Sequence, residues 1–468
     1  MHVDRRFPSS ALTYTSPKPK PRGWTMKRSI SLLAAMAVAL GVPGLADTVL
    51  RNGRVLTMLD GPEYREIDLV VRDGKFVDDT PPQGATVVDL DGRFVIPGLT
   101  EMHAHIPVRR FDAGASDYRA DVLFLWVANG VTLARGMMGH PSHLDLRGAL
   151  AADEVLGPTL LISGPSFSGG SARTVDAAIR RVRDQKAAGY DLLKIHPGLS
   201  STVFQAVART ANAEDIRFAG HVTGQVGLMA SLDAGQHTID HLDGFIETLV
   251  APEDLTNRNA VWFGADLVEK VDPARVESLI EGLKASGAAV VPTETLLENV
   301  AGSLAELQAR HEYAYLPANL RRGYSDAVRG SANAFTPASR EAFLGLRKQL
   351  IAECYRAGVP VLLGSDSPQI FNVPGFSIHW ELAAMAEAGL TPFEALSTGT
   401  TEPARFYGQS DQWGSIAPGR AADLIVLRDD PLDDIANTRS IEAVMVRGRY
   451  LARDELDAGL ADIRERYR

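Results

Sequence analysis

Six residues whose types can do chemistry are spread along the chain: His103 and His105 in a His-Ala-His, then Lys194, His221, His241 and Asp366. Each closes or lies within a short apolar run. Val95-Ile96-Pro97-Gly98-Leu99-Thr100-Glu101-Met102 leads into the His-Ala-His, and Asp191-Leu192-Leu193-Lys194-Ile195 carries the lysine. Ala219-Gly220 precedes His221, Thr238-Ile239-Asp240 precedes His241, and Val361-Leu362-Leu363-Gly364-Ser365 precedes Asp366. In extended backbone, residues i and i+2 point the same way, so the two imidazoles of the His-Ala-His can face one ion at about 2.0–2.1 Å. A lysine aimed into an apolar strand end is costly to bury as a cation and ordinarily snorkels or pairs with an acid. Cys354 is the single cysteine, which excludes an intramolecular disulfide, a Cys-rich zinc site and a CxxC redox motif. Metal chemistry, if present, must therefore use histidine, carboxylate or something less usual.

The elements that would position these residues are legible as texture. Candidate strands are Phe94–Leu99, Val131–Arg135, Thr159–Ser163, Leu192–Ile195, Arg217–His221, Thr238–His241, Ala289–Pro292 and Val361–Gly364. Ala-rich stretches of helical period lie between them, among them Thr174–Ala188, Val276–Ala285 and Arg340–Ala357. Eight strand–helix units in about 300 residues predict an α/β fold, a (β/α)8 TIM barrel, over residues 97–407, with chemistry at the C-terminal ends of its strands. An open doubly wound sheet is the competing arrangement, but no GxGxxG or P-loop follows an early strand. Residues 47–96 and 408–468 read instead as short β runs broken by Asn52-Gly53, Asp73-Gly74 and Arg447-Gly448. Neither end has enough strands for a stable core alone, so both termini are expected to pair into one small β-sandwich domain.

The order His-x-His, Lys, His, His, Asp on successive strand ends resembles the metal-dependent amidohydrolase superfamily in its binuclear, carboxylated-lysine form. Pro97-Gly98-Leu99, Gly364-Ser365-Asp366 and Ala417-Pro418-Gly419-Arg420-Ala421-Ala422-Asp423-Leu424 match as well, and the similarity runs from about Thr48 to Leu451. The branch it is most similar to is the imidazolonepropionase and zinc-dependent prolidase-like group. Lys194 argues against imidazolonepropionase itself, whose site holds one metal and no such lysine. Glu101 stands where many relatives carry Asp. The resemblance implies two divalent metal ions, zinc first among the candidates, with His103, His105 and Asp366 on one ion and His221 and His241 on the other. Both ions would share a hydroxide and a carbon dioxide-derived carbamate on Lys194. It also implies cleavage of amide C–N bonds by that hydroxide, with Asp366 as the catalytic proton shuttle. Dipeptides, prolidase-type substrates and N-acyl amino acids are the implied substrates. A lactone or ester hydrolase using the same site, or a barrel that binds ligand without turnover, are the alternatives.

Three residues are candidates for substrate contact: Arg135 at the end of strand two, which could hold a substrate carboxylate or form a structural salt bridge; His196, two positions after Lys194; and His140, beside His143 after strand two. His237 has the wrong strand parity for a ligand, and Cys354 reads as a buried inert thiol. Residues 296–345 form an insertion between strands seven and eight, of the kind that shapes specificity.

The 468 residues are 45% hydrophobic and 23% charged, which excludes disordered and fibrous classes, and a net charge of −10 argues against nucleic acid as partner. The partner expected is a small-molecule amide or peptide; no stable membrane insertion is expected, and a homo-oligomer is left open. Met26-Lys27-Arg28, the apolar run Ile30–Leu40 and Gly41-Val42-Pro43-Gly44-Leu45-Ala46 read as a secretory signal over residues 26–46, the run being shorter than the ~20 residues a membrane span needs. The protein is therefore expected to be exported, periplasmic or extracellular, after cleavage near Ala46. Residues 1–25, rich in proline, read as an extension ahead of a true start at Met26. Without residues 1–46, which hold seven basic residues and one acid, the chain keeps 41 basic against 57 acidic residues, a net −16. The precursor is expected to begin at Met26 and the exported chain at Asp47. N-terminal sequencing of both forms checks this, and a precursor beginning at Met1 overturns the first expectation.

Overall fold

The computed structural model describes residues 47–81, 83–108, 118–256, 262–331 and 335–468. The chain divides into two units, Met1–Gly44 and Leu45–Arg468, and only the second contains described residues. The expected extension and secretory signal lie outside them. No helix among the described residues is long and apolar enough to cross a membrane.

Short runs of apolar residues between turns make the first seven strands: β1 (Thr48–Arg51), β2 (Arg54–Leu56), β3 (Tyr64–Glu66), β4 (Leu69–Arg72), β5 (Lys75–Val77), β6 (Thr86–Asp89) and β7 (Phe94–Pro97). Between β4 and β5, Asp73 (φ 50°) and Gly74 (φ 74°) both take positive φ, the backbone that a tight two-residue hairpin requires.

Seven parallel strands follow, nearly all of their residues buried: β8 (Leu99–Ala104), β9 (Val131–Gly136), β10 (Thr159–Ile162), β11 (Leu192–Ile195), β12 (Arg217–Gly220), β13 (Thr238–Asp240) and β14 (Ala289–Val291). They form a three-stranded sheet in the order β10-β9-β8 and a four-stranded sheet in the order β11-β12-β13-β14. Bridges from Ser163 to Leu192 and from Phe167 to Ile195 link the two. On the other side residues 361–367 run between β14 and β8, bridging Val361 to Val290 and Ser367 to Ala104. Leu362 N donates to Val290 O at 2.8 Å and Met102 N to Leu363 O at 2.8 Å. Helices connect the strands, and some have capped ends. Thr174 caps Val175–Ala188, which stops at left-handed Gly189, and Thr336 with Ser339 makes a capping box on Pro337–Arg356. This mixed α/β arrangement is consistent with a TIM-barrel-like fold.

The final strands are β15 (Leu424–Leu427), β16 (Ile441–Val446) and β17 (Arg449–Ala452). Terminal strands pair across the length of the chain. One sheet has the order β5-β4-β1-β6, and the other has the order β17-β16-β15-β7-β2-β3. A cluster including Leu50, Val71, Phe76, Val95, Leu424 and Met445 is buried between residues of both sheets.

Two expected strands are corrected. The run read as a first barrel strand is cut at Gly98: Phe94–Pro97 joins the terminal sheet, and the barrel strand begins at Leu99. Gly98 N donates to Asp423 O at 3.0 Å, and a Cβ at Gly98 would lie 2.2 Å from Thr132 Oγ1, so only glycine allows the chain to step between sheets there. Val361–Gly364 is not a regular strand; single bridges and hydrogen bonds to both neighbours hold it instead.

Gly364 lies where this segment crosses the end of β8, and a Cβ there would be 2.7 Å from His103 N and 3.1 Å from Met102 C. Backbone atoms cannot swing aside as a flexible side chain can. Gly364→Ala is expected to destabilise the fold by about 1–3 kcal/mol, the usual cost of overpacking. Chemical denaturation checks this, and unchanged stability would contradict the close approach.

Candidate metal centre

Strand ends bring the six candidate residues together. His103 ends the core of β8 with His105 just beyond it, and their ring centroids are 5.6 Å apart. Lys194 on β11 is fully buried, with Nζ 3.2 Å from His103 Nε2. His241 follows β13 and its ring lies 4.6 Å from that of His103 and 4.5 Å from that of His221, which follows β12. Asp366 Oδ1 is 3.2 Å from His105 Nε2 and 3.7 Å from His103 Nε2, while Oδ2 is 3.8 Å from His241 Nδ1. One ligand atom from each of His103, His105 and Asp366 fits within 4.8 Å of the others. Asp366 Oδ1 is buried and has no hydrogen-bond partner. Two imidazole nitrogens converging on an unpartnered buried carboxylate oxygen are a donor set that suits a divalent cation.

Other groups hold one ring nitrogen of His221 and one of His241. His221 Nδ1 lies 2.7 Å from Asp243 Oδ2, which also accepts from Val222 N, and His241 Nδ1 lies 2.8 Å from Thr293 Oγ1. His103 Nδ1 sits 2.8 Å from Asp240 Oδ2 without a hydrogen bond to it. Carboxylate and hydroxyl partners on one ring nitrogen turn the other toward the centre and fix its lone pair there. Glu101 braces the carboxylate side. It accepts from His103 N at 3.1 Å, from Ser365 N at 2.7 Å and from the Ser365 hydroxyl, tying the first-strand histidine to the turn that carries Asp366.

Burial sets the protonation states. It pushes His105 down to about 3 and His103 and His241 well below the ordinary histidine range, reinforced by nearby positive charge, so all three imidazoles are neutral. Lys194 is lowered by burial against the opposing pull of Asp240 and Asp366. Burial raises Asp366 to about 7, with Lys194 pulling the other way. At Asp240 burial favours the neutral acid, but Arg135 and Lys194 together outweigh it and hold the carboxyl below its usual range. Neutral imidazoles are the form that binds a cation.

The amidohydrolase family profile matches residues 94–451. The chain belongs to that family. An Aspergillus niger ochratoxinase is 23% identical over 412 residues, 75% of this chain and 73% of that protein. Among solved structures, a bottromycin amidohydrolase has a TM-score of 0.69 at 24% identity, with 90% of each chain covered. A prolidase complexed with N-methylphosphonate-L-proline has a TM-score of 0.63 at 21% identity, covering 87% of this chain and all of that one. At these identities the structural likeness speaks for the fold of this family member.

The candidates for substrate contact fare differently. Arg135 is fully buried: Nε donates to Met102 O at 2.5 Å, Nη1 to Thr238 Oγ1 at 3.1 Å, and Nη2 lies 3.4 Å from both oxygens of Asp240. Of its two expected roles, these contacts are those of the structural salt bridge. His196 lies at the edge of the centre, its ring stacked on His221 at 5.2 Å, and burial lowers it to about 2. His140 is exposed, with its ring 6.0 Å from His143 and Nδ1 2.9 Å from Ser142 Oγ, and no described contact joins it to the six. His237 packs on Phe406 at 4.3 Å, and Cys354 is fully buried, its thiol pushed up to about 12. Tyr313 and Tyr324 of the insertion both lie 6.0 Å from the ring of Phe371, five positions beyond Asp366.

Sequence reasoning missed Asp240, Asp243, Thr293 and Arg347. Period-2 alternation offers a signal for Asp240, because Thr238 and Asp240 share the inward face of β13 and meet Arg135 there. Asp243 and Thr293 lie in loops, whose conformation has no periodic signature.

Removing Arg135 leaves Asp240 buried with its principal cation gone. Arg135→Met is therefore expected to destabilise the chain by about 3–5 kcal/mol, the range for breaking a buried pair. Denaturation together with kinetics distinguishes the two roles: a raised KM at unchanged stability would restore Arg135 as a substrate anchor.

Proposed function

We propose that the protein is a binuclear metal-dependent amidohydrolase that cleaves amide C–N bonds in dipeptides, prolidase-type substrates or N-acyl amino acids, and that it is exported by its leader. The observation that carries this is the convergence of His103, His105, Lys194, His221, His241 and Asp366, with outer hydrogen-bond partners on two of the four imidazoles. Similarity to an ochratoxinase and to prolidase structures supports a C–N substrate. Ring closure of the parallel strands through residues 361–367, and a sandwich made of the two terminal sheets, belong to the same reading.

Two divalent ions, zinc or another accepting mixed nitrogen and oxygen ligands, would supply Lewis acidity, polarising the scissile carbonyl and acidifying the attacking water. His103, His105 and Asp366 would hold one ion, and His221 and His241 the other. Lys194 explains itself by its surroundings. Burial favours the neutral amine, whose lone pair can add to carbon dioxide with release of one proton, forming a carbamate. The product is an anionic carboxylate on a long stem, able to reach both ions. Asp366, raised to about 7 by burial, takes a proton from the attacking water and returns it to the departing nitrogen.

Turnover by the mature chain across dipeptide, N-acyl amino acid and lactone libraries, with zinc and bicarbonate supplied, tests the reading. Amide cleavage is expected, with about two ions per chain by metal analysis. Asp366→Asn is expected to lower kcat by at least about 10²-fold, the lower bound for losing a general acid–base group. Turnover of esters alone would overturn the C–N assignment, and tight ligand binding without turnover would overturn the enzymatic one.

A further inference from the structure

His241 and Thr293 both occupy left-handed backbone, at φ 65° and 49°. A β-branched residue there is costly, and such strain persists only where the surroundings over-determine it. They do so here. Arg347, from the helix Pro337–Arg356, is fully buried; its Nη1 donates to His241 O at 3.0 Å, its Nη2 to Pro292 O at 3.2 Å, and its Nε to Glu294 Oε2 at 2.8 Å. Glu381 accepts from Glu294 N at 2.9 Å and Thr295 N at 2.8 Å, anchoring the turn just after Thr293. All of these residues are buried.

Proton accounting gives this clamp a direction. Thr293 Oγ1 lies 2.8 Å from Pro292 O and 2.8 Å from His241 Nδ1. With its one hydroxyl proton on the side of Pro292 O, which can only accept, the Thr293 oxygen is left as an acceptor toward His241. His241 Nδ1 then carries the ring proton, and Nε2 keeps its lone pair. We propose that Thr293, braced by Arg347, is a positioning residue that sets the tautomer and aim of His241, so that Nε2 is presented to the metal centre. The inference rests on the metal-dependent reading above, yet its first consequence, the tautomer, exists without metal.

The test uses the full mature chain as wild type, Thr293→Val and Thr293→Ser. The valine keeps the branched shape and removes the hydroxyl; the serine keeps the hydroxyl. Imidazole 15N shifts of the metal-free protein, with His241 assigned by its absence in His241→Gln, report the tautomer. Zinc competition against a chelator reports affinity, and the melting temperature of each metal-free variant reports fold. Wild type is expected to show His241 protonated at Nδ1. Thr293→Val is expected to lose that preference and to weaken zinc at one of two sites by about 10–100-fold, the range for loss of an outer partner, with Thr293→Ser restoring both. A wild-type His241 protonated at Nε2 overturns the proposal without any variant, as does a folded Thr293→Val that keeps both tautomer and zinc affinity. If the tautomer shifts as expected but wild type binds no zinc, the positioning role stands and the metal-dependent reading falls.

Discussion

Three groups depend on the carboxylate of Asp240. Both of its oxygens lie 3.4 Å from Arg135, Oδ2 lies 2.8 Å from His103 Nδ1, and the same oxygen is 3.9 Å from Lys194 Nζ, all without solvent exposure. A guanidinium cannot give up its charge, so it holds the first claim on the anion. The lysine is left with no carboxylate of its own at close range, in surroundings that disfavour an ammonium. Burial accordingly lowers the lysine below its ordinary range, against the pull of Asp240 and Asp366. His103 stands between the two, with Nδ1 2.8 Å from Asp240 Oδ2 and Nε2 3.2 Å from Lys194 Nζ. Arg135, Lys194 and Asp240 stand on β9, β11 and β13, alternate strands in chain order.

Backbone strain gathers at the opposite end of the same centre. His241, Thr293 and Asp366 (φ 61°) are all non-glycine residues with positive φ, and all three follow a buried strand or strand-like segment. Left-handed backbone at a strand's end turns the next side chain off the alternating pattern of the strand. Asp240 and His241 can therefore serve the same centre although they are sequence neighbours. Side chains that strict alternation would send to opposite faces are gathered on one side by these kinks, held by Arg347, Glu381 and Glu101.

Much of the centre was legible because its signals are local. His103-Ala104-His105 declares a shared face by its spacing, and Lys194 stands out because a lysine among Leu192, Leu193 and Ile195 has no ordinary reason to be there. Helices announced themselves through periodicity, although the one expected over Arg340–Ala357 begins at Pro337, where Thr336 caps it. What stayed hidden depends on distance along the chain. Arg347 meets His241 across 106 positions and Glu381 meets Glu294 across 87, and no window of sequence contains both partners. The role of Arg135 was ambiguous for the same reason, since Asp240 lies 105 positions away. Gly98 was read through as part of a strand because periodicity continues across it, and only the approach of Thr132 shows why the chain changes sheet at that point.

The placing of β7 between β2 and β15 has a consequence for how the molecule comes into being. β2 precedes β7 by some forty positions, but β15 emerges from the ribosome more than three hundred residues later. Throughout synthesis, one side of β7 offers its amides and carbonyls with no mate, together with the apolar face of Val95 that Leu424 and Met445 will eventually cover. An open edge of that kind invites pairing with other nascent chains, and helpers that shield it would be needed until the last tenth of the polypeptide arrives.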